Sequence, residues 1–316
     1  MVPFSLTQMY SEMEQKCPKR FNTVGPPPGD NPCAGKKPDL PNVECVQNDI
    51  AMTGEQSGTN VTLGYKGLKE TDAVPITTPF YQAGICPVNV HWHLGAEHLS
   101  VGEYDETGTG PSDIHERRRL SGKTQAGFQC KLYDANDPKF TKKFKFEHCK
   151  DMEVGQTYEV HWPHSAAGAC GTVNQYQTPF LDGVFCRDGV ITDTAGQIGV
   201  QAQVFTIVND EKYFYPDLFR GMIVDGEKGV EITKYTGSTT GTKVNNTICS
   251  QFTPVTWQVD RKCHLISASS FDKMCADMLA QRDDMSEDVI PQGSRVLVAD
   301  ELAANNHQNR VRRHKI

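Results

Sequence analysis

At 316 residues and a mean hydropathy of −0.51, the chain is long enough to bury a substantial core, and no apolar run approaches the ~20 residues of a membrane-crossing helix. A formal charge of −7 argues against nucleic acid or an anionic membrane surface as the main partner. The eleven cysteines include no CxxC, which argues against zinc ribbons and thioredoxin-like sites; scattered at this density they predict several disulfides, one thiol left over, and an oxidising compartment.

Residues 1–48 are rich in Pro, Gly, Asn and Cys, as in Gly25-Pro26-Pro27-Pro28-Gly29, and read as an irregular N-terminal arm. Met1 to Lys16 is not a signal peptide, because Glu12 and Glu14 interrupt it and no apolar core follows. The expectation is a secreted or secretory-lumen protein whose leader has been removed. Two sequons, Asn60-Val61-Thr62 and Asn245-Asn246-Thr247, agree with a glycoprotein. From residue 49 to 285 the chain reads as one β-dominated domain. Short β-type runs such as Gln82 to His93, Thr157 to Trp162, Gly199 to Val208 and Pro254 to Val259 alternate with Gly, Asp and Asn turns. The clearest helix spans 269–285, capped by Ser269 or Ser270, with Phe271, Met274, Met278 and Leu279 on one face. Residues 286–316 form a C-terminal extension whose polar, basic end reads as frayed.

The chemistry concentrates in His91-Trp92-His93-Leu94-Gly95-Ala96-Glu97-His98. Side chains at i and i+2 of a strand share a face, so His91 and His93 project together about 6–7 Å apart, a span two imidazoles can close on one metal. Tyr158-Glu159-Val160-His161 repeats the pattern with Glu159 and His161. Three neutral nitrogens from His91, His93 and His161 would leave a fourth position open, as in a catalytic zinc site. Glu159 and Glu97 are candidates to anchor the ligands' second nitrogens. Two other readings stay open. A cupin-type oxygenase or isomerase would make Glu97 a ligand of iron or manganese beside His91 and His93. A secreted, disulfide-stapled binding module would carry the histidines without a metal.

Cys86-Pro87-Val88-Asn89-Val90-His91-Trp92-His93-Leu94-Gly95-Ala96-Glu97-His98 and Tyr158-Glu159-Val160-His161-Trp162-Pro163-His164-Ser165 resemble the delta-class carbonic anhydrases of marine algae, over roughly residues 50 to 285. A fainter similarity to the alpha class runs in the same order and extends to Gly237-Ser238-Thr239-Thr240 and Val255-Thr256-Trp257. The resemblance implies a central antiparallel-rich sheet with a few peripheral helices, and a lyase that hydrates CO2 to bicarbonate through zinc-bound hydroxide, with Co2+ as a possible substitute metal. It implies that the hydroxyl of Thr239, rather than Thr240, donates to Glu97 and directs the attack. The Gly199 to Val208 strand and Trp257 would wall the CO2 site. His164 or His115 would export the proton, His98 would be a buried structural residue, and Cys249 would form a disulfide.

Overall fold

The computed structural model describes residues 58–87, 89–111, 126–165, 186–187, 190–191, 198–239, 251–281 and 289–307. Its strands in chain order are β1 (Cys86–Pro87), β2 (His91–Leu94), β3 (Tyr104–Asp105), β4 (Gln129–Cys130), β5 (Thr157–Ser165), β6 (Cys186–Arg187), β7 (Val190–Ile191), β8 (Ile198–Val208), β9 (Ile232–Thr239), β10 (Gln251–Ser267) and β11 (Gln292–Gly293). The α-helices are a single turn, α1 (Pro138–Thr141), and α2 (Ala268–Gln281). One seven-stranded sheet runs β11-β2-β5-β8-β10-β9, with β1 also pairing β5. Its pairings are antiparallel except β8 with β10 and β2 with β11. The expected β-dominated chain with an antiparallel-rich central sheet and peripheral helices is what the fold shows.

Both faces of the sheet are covered, which is why β5 is buried along its whole length. On one face Trp92, Leu94, Tyr158, Val160, Trp162, Phe205 and Ile207 pack against Phe271, Met274 and Met278 of α2. On the other, Val200, Ala202, Val204, Tyr235, Val255, Trp257 and Val259 form a second apolar cluster. Period-two alternation assigns each strand residue to one of these two layers.

β1 and β2 pair with the same side of β5, with a break opposite Pro163. Pro87 pairs with His164 and His91 with His161, so four steps along one strand oppose three along the other, a one-residue bulge. Pro163 has no N–H to offer a neighbour, and a bulge is where a sheet tolerates that loss. The break sets Asn89 beside His91.

The helix starts earlier than the sequence suggested. Ser267 Oγ accepts from Ser270 N at 3.2 Å and exchanges hydrogen bonds with the Ser269 and Ser270 hydroxyls, so Ser267 is the cap, not Ser269 or Ser270. Three serines compete for that role locally, and only the end of β10 decides among them. Disulfides Cys130–Cys263 and Cys149–Cys275 tie β4 to β10 and the 149 loop to α2. Within the C-terminal segment, Gln292–Gly293 extends the sheet beside His93 and Leu94. The N-terminal arm, Asn245, Cys249 and the tail beyond 307 lie outside the described residues.

Candidate metal centre

The antiparallel register of β2 and β5 sets His91 opposite His161 and His93 opposite Glu159. All four therefore share one face, while Trp92 and Val160 pack on the other. Facing residues of such a pair lie about 4.5–5.5 Å apart, and the rings meet accordingly. Centroid separations are 5.2 Å for His91–His93, 5.1 Å for His91–His161 and 4.7 Å for His93–His161. One nitrogen from each lies within 4.8 Å of the other two.

The outer nitrogens determine what the inner ones offer. His91 Nδ1 lies 3.1 Å from Asn89 Oδ1 and His93 Nδ1 lies 3.2 Å from the Gly293 carbonyl. His161 Nε2 is 3.2 Å from Glu159 Oε1, though without the alignment of a full hydrogen bond. The Asn89 and Gly293 oxygens can only accept, so they hold the protons of His91 and His93 on the outer nitrogens, while the Glu159 carboxylate favours the same tautomer of His161 by its charge. The lone pairs of His91 Nε2, His93 Nε2 and His161 Nδ1 are left facing inward, with His91 Nε2 and His161 Nδ1 only 3.3 Å apart. The rings stay neutral: burial lowers the pKa of all three, His93 to about 3, and the neighbouring His161 lowers it further for His91 and His93. Neutral, proton-free nitrogens converging in a buried place are a donor set that a cation completes.

Behind them stands a polar network. Glu159 is fully buried and accepts from Glu97 N and His98 Nδ1 at 2.5 Å each. His98 Nε2 in turn lies 2.8 Å from the Tyr235 hydroxyl. Burial alone would raise the Glu159 pKa, but His98 and His161 beside it hold the carboxyl well below its usual range. Glu97 behaves oppositely, pushed well above the carboxylate range by burial and by Glu159. Its Oε1 accepts from Arg295 N at 3.0 Å. Its Oε2 lies 3.4 Å from His93 Nε2 and has no hydrogen-bond partner among the described residues. Glu97 does not join the set of mutually close ligand atoms formed by His91, His93 and His161. Trp257 closes the site, its ring 5.1 Å from His161 and 4.9 Å from His98.

A family model for delta carbonic anhydrase matches residues 82–270, more than half of the chain. The chain belongs to the delta carbonic anhydrase family. As a carbonic anhydrase it is a lyase, and the family supports CO2 hydration as its activity. Among solved structures it is similar to the alpha-carbonic anhydrase from Thermovibrio ammonificans in complex with the inhibitor sulfanilamide. The two are 13% identical, the match covers 82% of this chain and 89% of that chain, and the TM-score is 0.27, too loose a superposition to inform the site. No curated protein sequence matches.

Seen as a carbonic anhydrase, the chain brings His91, His93, His161, Glu159 and Glu97 together, with the buried His98 hydrogen-bonded behind them. It does not bring His164. Three residues from His161 on the same strand is an odd step, so His164 faces the opposite layer. There it is 5% exposed, its ring 5.1 Å from Phe80 and its Nδ1 2.7 Å from the Trp162 carbonyl, with the pKa lowered by burial to about 4. Thr239 ends β9, paired with Gln251, and its side chain, Thr240 and His115 lie outside the described residues. Sequence reasoning did not single out Asn89, Gly293, Arg295 and Tyr235 for the site. Asn89 was findable, two residues before His91 on the same face. Gly293 and Arg295 were not, being some two hundred residues away with no local pattern.

Proposed function

We propose that His91, His93 and His161 hold a zinc ion, and that CO2 is hydrated reversibly there to bicarbonate and a proton. The observation that carries this reading is the convergence of three neutral imidazole nitrogens, with the outer nitrogens of His91 and His93 hydrogen-bonded to acceptors and that of His161 3.2 Å from Glu159 Oε1. Three nitrogens with no thiolate suit zinc, and cobalt(II) accepts the same donors. When bound, such an ion lowers the pKa of water to about 7 and so supplies a nucleophile near neutral pH; carbonic anhydrase is the standard example of this effect, and the value belongs to the enzyme class rather than to this structure.

The chain's own residues would do the rest. Asn89, Gly293 and Glu159 keep the protons on the far side of the three rings. Glu97 offers Oε2 as an acceptor, and we assign the Thr239 hydroxyl as its donor, by the family motif. A hydroxyl whose hydrogen is committed to Glu97 can only accept at the reacting centre, which fixes the direction of attack on CO2. Val200, Ala202, Val204 and Trp257, on the same face as the ligands, would give CO2 an apolar wall. The opposite-facing, buried position of His164 speaks against it as the proton exporter. The disulfides fit a secretory compartment, and we extend this to secretion with a glycan on Asn60.

Metal analysis and stopped-flow CO2 hydration on wild type and His161→Ala test the proposal. Wild type should hold one zinc per chain and His161→Ala should lose most of it, with a rate at least ~100-fold lower. A zinc-free wild type no faster than buffer would end the reading. Iron or manganese that disappears in Glu97→Gln would instead favour the oxygenase, with Glu97 as a ligand.

A further inference from the structure

Among the described methionines, Met152 stands apart. Met222, Met274 and Met278 are buried in the apolar layer behind the metal-site face, at 7%, 1% and 0% exposure. Met152 packs at the rim of that layer and is partly open to solvent, between exposed Asp151 and Glu153. Its sulfur has a particular partner: the Trp92 indole Nε1 donates to Met152 Sδ at 3.1 Å. Trp92 is itself fully buried and sits on β2 between His91 and His93. A buried indole N–H needs an acceptor, and here the acceptor is a thioether, which accepts weakly and can be oxidised.

The loop that carries Met152 is pinned on both sides of it. Asp272 of α2 accepts from the backbone N–H groups of Glu147, His148 and Cys149 at 3.0, 2.8 and 3.0 Å. Cys149 is bridged to Cys275, and Glu153 N donates to the Tyr158 hydroxyl at 3.0 Å. A change of shape at the sulfur is therefore passed to the indole rather than absorbed by the loop. We propose that Met152 is a site of oxidation by hydroperoxides, and that its sulfoxide acts on strand β2 through Trp92. In that step a sulfur lone pair bonds to the terminal peroxide oxygen, and the O–O bond breaks with its electron pair on the departing oxygen, which takes the proton. The thioether is oxidised to the sulfoxide, and the hydroperoxide is reduced to an alcohol, or to water when it is hydrogen peroxide. The new oxygen has no room in the 3.1 Å between sulfur and indole nitrogen. Added on the solvent side, it leaves the Trp92 N–H facing an electron-poor sulfur that no longer accepts. Turned inward to meet the N–H, it pushes the indole from its place against Phe271, where the ring centroids lie 6.1 Å apart. Both arrangements disturb the strand between His91 and His93.

The test treats the full-length enzyme with hydrogen peroxide and maps each methionine by peptide mass spectrometry. Tryptophan fluorescence, thermal midpoint and CO2 hydration are measured beside it, for wild type, Met152→Leu and Met152→Gln. Met152 should be oxidised at least ~10-fold faster than Met222, Met274 and Met278. Oxidised wild type should show shifted tryptophan emission and hydrate CO2 at least ~3-fold more slowly, and both changes should reverse when methionine sulfoxide reductases and a thiol reductant are added. Met152→Leu keeps the apolar shape without an oxidisable sulfur, so peroxide should leave it within about twofold of its own untreated rate. Met152→Gln places a polar oxygen at the same point and should show the loss without peroxide. Equal oxidation of the four methionines, an oxidised wild type with unchanged emission and rate, or the same peroxide-dependent loss in Met152→Leu would each overturn the inference. Should Met152→Gln fail to fold, the comparison of wild type with Met152→Leu decides by itself.

Discussion

Replacing Glu159 by Gln changes one oxygen into an NH2 and leaves shape almost intact, so its consequence follows from hydrogen-bond directions alone. Oε2 accepts from the Glu97 and His98 backbone N–H groups at 2.5 and 3.3 Å. Those donors have no alternative form, so the amide oxygen must stay with them. The NH2 then occupies the Oε1 place, facing His98 Nδ1 at 2.5 Å and His161 Nε2 at 3.2 Å. His98 can adapt by moving its proton to Nε2, where the Tyr235 hydroxyl can accept it. His161 can adapt only by moving its proton to Nδ1, the nitrogen that faces His91 and His93. That takes one of three ligands out of the site. Removing such an outer partner typically weakens metal binding about 10–100-fold, or about 1.4–2.7 kcal/mol. Losing a buried charge-assisted hydrogen bond costs about 1.5–3 kcal/mol, a similar amount. Zinc affinity measured by chelator competition at neutral pH should therefore fall at least ~10-fold, with circular dichroism unchanged. A folded Glu159→Gln that binds zinc within about twofold of wild type would show that the carboxylate does not set the His161 tautomer.

Gly237→Ala would drive a Cβ into the Trp257 ring at Cδ1 and Nε1; overpacking of this kind costs about 1–3 kcal/mol, and CO2 hydration should drop with the displaced wall, so unchanged stability and rate would remove Trp257 from the argument. His164 and His307 are buried with pKa values lowered to about 4. Each stays neutral in the fold but takes a proton when unfolded below about 6.5, so stability present above that value is lost as pH falls, by about 2 kcal/mol per ring at about pH 5. Urea midpoints at the two pH values should show this, and His164→Gln should flatten the dependence; a slope unaltered by that substitution would refute the assignment. Breaking Cys149–Cys275 by Cys275→Ser should cost about 2–4 kcal/mol, read from denaturant unfolding, and a loss below ~1 kcal/mol would mean that α2 holds the 149 loop without it.

Much of the site was legible because a strand's period of two is a local property. His91-x-His93 and Glu159-x-His161 had to share faces wherever the strands lay, and the apolar partners Trp92, Val160 and Trp162 had to face the other way. The same parity applies to His164, which the family likeness put forward as a proton exporter although it lies an odd number of residues from His161. Helix α2 was legible from Phe271, Met274 and Met278 at helical spacing, while its cap was not, because Ser267, Ser269 and Ser270 offer equivalent hydroxyls. The cysteines announced disulfides without announcing which pairs.

By itself, then, the sequence determined the strand-borne pairs His91/His93 and Glu159/His161, the apolar layers and the family likeness, all of which depend on neighbours along the chain. The tertiary structure alone decided that β2 meets β5 in the register placing His91 across from His161. It also decided that a strand from the C-terminal segment supplies the Gly293 carbonyl to His93 and Arg295 to Glu97. Those contacts join residues separated by seventy to two hundred positions, and no local propensity encodes them. They follow from the burial of two apolar layers, which leaves the polar groups trapped between them only one another as partners.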